Sequence, residues 1–156
     1  MTIEIQRILL PTDFSSFSAA AARYACELAV RFDSELHVLH TLDHHLTSTP
    51  AFGFGLDLPT FVSESKVAAE KKLAGFIDSV WSAGRTVVHF ISEGSPQVEI
   101  VRYAREANID LIVLSTHGRT GLSHVMLGSV AESVVRTSPC PVLTMRPEGH
   151  QFLIPD

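Results

Sequence analysis

Five short runs rich in aliphatic and β-branched residues alternate with four stretches of helical character. The runs are Ile3 to Leu10, Leu36 to Leu42, Thr86 to Ile91, Asp110-Leu-Ile-Val-Leu114 and Cys140-Pro-Val-Leu-Thr-Met-Arg146. Strands that alternate with helices are joined by right-handed crossovers, which make a parallel sheet with helices on both faces. In such sheets ligands bind beyond the carboxyl ends of the strands, where the strand order reverses. Asp13, Thr41 and the loop that begins at Ser115 each follow a strand end, so the topology brings them to one crevice.

The helices follow from their own signals. Ser15 or Ser18 caps the first, and Ala21, Tyr24, Ala25, Leu28, Ala29 and Phe32 form its apolar stripe until Asp33-Ser34 ends it. His44 to Pro59 has two prolines, two glycines and no period, the pattern of a long excursion. A single helix is predicted from about Val62 to Ala83, with Val67, Leu73, Ala74, Ile77, Val80 and Trp81 inward and Gly84 just past its end. Gly94 turns the chain, Ser95 caps the next helix, Pro96 sits at its first position, and Ile100, Val101 and Ala104 form its buried side. The last strand starts with Pro141 and is therefore expected at an edge, where a second copy of the chain is the obvious cover.

The most chemically suggestive stretch is Ser115 to Glu132, S-T-H-G-R-T-G-L-S-H-V-M-L-G-S-V-A-E. It follows a buried strand, carries Gly118, Gly121 and Gly128, and closes on Ser129-Val-Ala-Glu132, an S-x-x-E capping box. Strand, glycine loop and capped helix together make a nest of N–H groups at a helix N-terminus, which favours phosphate. The competing reading is that the glycines only turn the chain.

Length and charge remove other classes. A chain of 156 residues makes one domain, assigned here to residues 1–147 with a short tail over 148–156. A net charge of −5 argues against nucleic acid as partner. No apolar run is long enough to cross a bilayer, and Met1-Thr-Ile-Glu-Ile lacks a secretion signal's basic start, so a cytoplasmic location is expected. Cys26 and Cys140 have no metal or redox spacing and are expected as free thiols, and the adjacent His44 and His45 as solvated loop residues.

Several motifs in the right order then resemble the universal stress protein family over nearly the whole chain. They are I-L-L-P-T-D-F-S, L-H-x-L-D after the second strand, S-T-H-G-R-T-G-L-x-x-x-x-L-G-S-V-A-E-x-V-V, and S-P-C-P-V-L. The resemblance implies a Rossmann-like, adenine nucleotide alpha hydrolase-like α/β fold: a single-domain open parallel sheet of five strands in the order 3-2-1-4-5. It also implies a homodimer through the last strand, here Val142 to Met145. One branch of the family binds ATP through G-x-x-G, nine residues, then G-[ST]. In this chain the register is Ser115-x-x-Gly118, then Gly128-Ser129, with serine in place of the first glycine. That hydroxymethyl group either crowds a phosphate or donates to it.

By the same resemblance, ATP would be held by Pro11, Thr12, Asp13, Thr41, Ser115, His117, Gly118, Arg119, Gly128, Ser129 and Val130. Asp13 would meet the ribose or a Mg²⁺ or Mn²⁺ ion, and the backbone around Thr41 the adenine edge. On the residues alone, Asp13 is alternatively an Asx turn or a helix N-terminal charge. His117 and Arg119 either face phosphate or stay solvated, and Arg119 could instead serve a partner surface.

Three functions compete on this basis: an ATP-binding stress-response or signalling dimer, a nucleotide-free adapter of the same fold, and a slow ATPase. The retained glycines favour the first over the second. No P-loop motif G-x-x-x-x-G-K-[ST] is present, and Asp13 is the only group placed as a general base, so catalysis is not expected beyond slow hydrolysis.

Overall fold

The computed structural model describes residues 3–43, 58–117 and 127–146, with Leu58 described by its backbone alone. The order of elements is β1 (Arg7–Pro11), α1 (Ser16–Phe32), β2 (Glu35–Leu42), α2 (Leu58–Ala74), α3 (Ser79–Ser82), β3 (Val87–Glu93), α4 (Pro96–Glu106), β4 (Leu111–Ser115), α5 (Ser129–Thr137) and β5 (Val142–Met145). The five strands form one parallel sheet in the order β3-β2-β1-β4-β5, as expected.

Alternation along the central strands sorts the core into two layers. Ile8, Leu10, Leu36, Val38 and Val113 face α1 and the end of α2, against Ala21, Ala25, Ala29, Leu73 and Ile77. Leu9, Leu39, Ile112 and Leu114 face α4 and α5, against Ile100, Tyr103, Ala104, Ala131 and Val134. Both layers bury the central strands, which is why β1 and β4 read as unbroken apolar runs.

Helix α1 packs through small residues. Ser15 is its N-cap, accepting the Ser18 N–H, and Asp33 ends it in the left-handed conformation at φ 55°. The buried stripe is Ser18, Ala21, Ala22, Ala25 and Ala29. Tyr24 and Phe32, expected on that stripe, are 53% and 43% exposed. The alanines let the helix lie close to the sheet, and the two rings flank the contact.

The helix expected over residues 62–83 is two helices. Gly75 follows α2, Phe76 and Ile77 turn inward, and Asp78 caps α3 by accepting the Val80 and Trp81 N–H groups at 2.8 and 3.0 Å. The Asp78 carboxylate competes for N–H groups that a continuous helix would use, and so restarts it. Leu73 and Ile77 are buried as expected, whereas Val67 and Val80 are exposed. Gly84 still lies just past the end, at φ 76°. The start of the first strand also differs, since Ile3 is exposed and pairing begins at Arg7.

Strand β5 pairs with β4 from Ile112↔Val142 to Ser115↔Met145 and lies at the sheet edge. Pro141 precedes it and its carbonyl accepts the Ile112 N–H at 3.0 Å, so the missing donor costs the ladder nothing. Both cysteines are free. Burial pushes the Cys26 thiol up to about 11 and raises that of Cys140, which keeps both as inert thiols at neutral pH.

Candidate functional site

The chain runs from β1 outward to β2 and β3, then returns to lay β4 on the other side of β1. At this reversal the loops after β1 and β4 diverge and leave a cleft at the carboxyl end of the sheet. Its volume is about 380 Å³, and its lining includes Pro11, Thr12, Asp13, Thr41, Ser115, His117, Gly128, Ser129 and Val130. Gly118, Arg119 and Gly121, and the His44–His45 pair, lie outside the described residues.

The β1–α1 loop forms one wall, held by a run of hydroxyls. Thr12 accepts the Phe14 N–H at 3.0 Å and donates to Ser18 Oγ at 2.9 Å, and Ser18 in turn donates to the Ser15 carbonyl at 2.9 Å. Thr12 and Ser18 are both buried, so each bond is sheltered from water. Asp13 Oδ1 accepts the Ser15 N–H at 3.0 Å, the Asx turn that the sequence left as one alternative. The carboxylate also lines the cleft, so turn and cleft roles coexist.

Strand β2 supplies a second wall. The buried His40 donates from Nδ1 to the Thr12 carbonyl at 2.8 Å, fixing its tautomer and joining β2 to the β1–α1 loop. Thr41 Oγ1 and Ser92 Oγ lie 2.9 Å apart across the β2–β3 ladder. Asp43 follows on the rim of the cleft.

The β4–α5 side is organised by Thr116, which is buried. Its N–H and hydroxyl both donate to the Met145 carbonyl of β5, at 2.9 and 3.2 Å. Its own carbonyl accepts the Gly128 N–H at 2.7 Å. With the hydroxyl proton committed to Met145, the oxygen accepts from His117 Nδ1–H at 2.9 Å. The Ser115 hydroxyl accepts the His117 N–H at 3.2 Å, so the serine that stands where the ATP-binding pattern has glycine braces its own loop.

The capping box expected at Ser129 is absent. Gly128 is the N-cap, Ser129 is the first helical residue, and the first intrahelical bond runs from Glu132 N–H to the Gly128 carbonyl. The N–H groups of Ser129, Val130 and Ala131 precede that bond and border the cleft. Gly128 also has a different reason to be glycine from the one its loop suggested. Its φ of −59° suits any residue, but a Cβ there would lie 2.8 Å from the Thr116 carbonyl oxygen. Close backbone approach, not a left-handed turn, excludes a side chain.

The cleft is therefore polarised. Asp13 and Asp43 sit at the ends of β1 and β2, while the positive end of the α5 dipole lies at the other side with His117. Leu39, Ile100, Leu114 and Pro96 give it apolar surface between. Among the described residues, no group of three or more His, Cys, Asp or Glu is placed to hold a metal ion. Sequence reasoning missed Asp43, His40, Thr116 and the α4 contribution of Pro96 and Ile100. Asp43 had a legible signal in its place after β2, whereas the α4 residues reach the cleft only through packing.

A five-stranded parallel α/β fold with a cleft at its switch point, bordered by a helix N-terminus, defines the class. Residues 4–146 match the model of the universal stress protein family, and the chain belongs to that family. The universal stress protein MJ0531 of Methanocaldococcus jannaschii is 35% identical over 142 residues, covering 90% of this chain and 82% of the relative. The solved structure of MJ0577 from the same organism superposes with a TM-score of 0.81 at 27% identity, covering 95% of this chain and all of that one. A universal stress protein from Archaeoglobus fulgidus, solved in complex with dAMP, shares the fold with a TM-score of 0.63 at 20% identity, over 92% of this chain and 98% of its own.

Proposed function

We propose that the cleft binds ATP and that the chain acts as a cytoplasmic, dimeric stress-response or signalling protein whose partners respond to nucleotide occupancy. The observation that carries this is the polarity of the cleft. Free N–H groups of the α5 first turn suit phosphate oxygens, and Asp13 across from them suits hydroxyl donors or a phosphate-bound cation. The apolar surface between, with the backbone at Thr41 beside it, suits a flat base that needs hydrogen bonds at one edge. The dAMP bound by the Archaeoglobus fulgidus protein supports an adenine nucleotide by likeness of fold.

If Mg²⁺ or Mn²⁺ accompanies ATP, Asp13 offers one carboxylate ligand, and phosphates and water would complete the shell. Gly118 and Arg119 belong to the proposed phosphate loop by sequence. Binding is preferred to catalysis because the sequence has no P-loop motif G-x-x-x-x-G-K-[ST] and offers Asp13 alone in the place of a general base.

Mass spectrometry of the small molecules released when unheated, purified protein is denatured tests the proposal. An adenine nucleotide near one per chain is the expected result. Absence of any nucleotide, together with an unmoved melting curve in millimolar ATP, supports the adapter function instead.

A further inference from the structure

Among the described residues, three other than glycine have positive φ: Phe14 at 63°, Asp33 at 55° and Asn108 at 50°. Asp33 and Asn108 are short polar residues that end α1 and follow α4, where the left-handed conformation is routine. Phe14 is neither short nor polar, and it lies before a helix rather than after one. A bulky side chain in this region is an outlier that surrounding structure must enforce.

Four contacts enforce it. The Thr12 hydroxyl holds the Phe14 N–H at 3.0 Å, and the Asp13 turn fixes the next peptide through the Ser15 N–H at 3.0 Å. The Phe14 ring packs on the buried His40, with centroids 4.2 Å apart, and meets Phe76 edge-on at 5.9 Å. Phe14 does not line the cleft, but its neighbour Asp13 does. The left-handed turn thus sends the ring into the layer beneath α2 and leaves the carboxylate on the cleft wall.

We infer that Phe14 is a positioning residue for Asp13: its ring, anchored between His40 and Phe76, holds the strained turn that aims the carboxylate at the ligand. This rests on the ATP proposal for the cleft. Without the ring, only the two local hydrogen bonds are left to offset the cost of the left-handed residue, and the β1–α1 loop relaxes toward an ordinary conformation that turns Asp13 aside. A ligand bound through Asp13 then loses affinity although no atom that touches it has been removed.

A double-mutant cycle on the full chain, read by isothermal titration with MgATP, tests this. Phe14→Ala is expected to weaken binding about tenfold, within the range for residues that share a network. In an Asp13→Asn background, which keeps the Ser15 bond but removes the charge, Phe14→Ala should cost less than about twofold. Phe14→Tyr, which keeps the ring, should bind as the parent does. If Phe14→Ala does not stay folded by circular dichroism, Phe14→Leu takes its place, with the same expected pattern. Unchanged affinity in the folded variant overturns the inference, as does an equal loss in both backgrounds, which would mean that Phe14 acts independently of Asp13. A parent chain that does not bind ATP refutes the cleft proposal, and the inference falls with it.

Discussion

Replacing Gly128 with alanine tests the packing of the β4–α5 junction. The new Cβ would lie 2.8 Å from the Thr116 carbonyl oxygen and 3.7 Å from its carbon, against ordinary contacts that begin near 3.4 Å. Relief requires a shift of about half an ångström between two backbone segments, because neither atom belongs to a side chain that can rotate away. Overpacking of this kind costs about 1–3 kcal/mol. Opening the 2.7 Å bond from Gly128 N–H to Thr116 adds roughly 0.5–1.5 kcal/mol. The sum, about 1.5–4.5 kcal/mol, lowers the melting temperature by roughly 3–18 °C in a domain of this size. Gly75→Ala is the control, since the nearest atom to its added Cβ would be 3.9 Å away. Thermal denaturation followed by circular dichroism reads both. A Gly128→Ala protein that melts within a degree of the parent would refute the close approach of these segments.

Other outcomes follow from single contacts. Ser129 makes no cap hydrogen bond, so Ser129→Ala should leave stability within about 0.5 kcal/mol of the parent, yet weaken ATP about tenfold if its hydroxyl meets phosphate; melting and titration of one variant separate the two. Burial lowers the His37 imidazole below its ordinary value, against the opposing pull of Glu35. The folded chain therefore keeps His37 neutral, while the unfolded chain protonates it below about pH 6.5, so this contribution is complete above that pH and fades as pH falls. The drop in melting temperature between pH 7.5 and 5.5 should shrink in His37→Gln, and an unchanged slope would contradict it. Leu143, 37% exposed on the edge strand, is proposed to meet a second copy. Sedimentation should show a dimer for the parent and a monomer for Leu143→Lys, whereas a concentration-independent parent monomer at micromolar protein rules the dimer out.

What the sequence showed and what it hid divide along physical lines. The parallel sheet and the gathering of Asp13, Thr41 and Ser115 at one end follow from alternation and handedness, which depend on no single contact, whereas the strand order was implied by the family resemblance. Helix boundaries depended on local competition. The break at Gly75–Asp78 was written in a cap signal overshadowed by the apolar spacing on either side. Ser129 looked like a cap because S-x-x-E followed a glycine, but whether the glycine or the serine starts the helix was decided by Thr116, twelve residues earlier. Tyr24 and Phe32 matched a helical stripe in spacing, yet the contact is so close that the residues buried beneath it are all small, a serine and four alanines. The left-handed Phe14 was not legible in the sequence, since the local turn bonds of Thr12 and Asp13 are joined by ring contacts to His40 and Phe76 from distant elements.

The central claim is that this cleft holds ATP, and titration of the nucleotide-stripped chain with MgATP measures it directly. One saturable site per chain is expected, weakened by Ser129→Ala without loss of fold. Absence of saturable binding at millimolar ATP, by protein that melts cooperatively, would contradict the account.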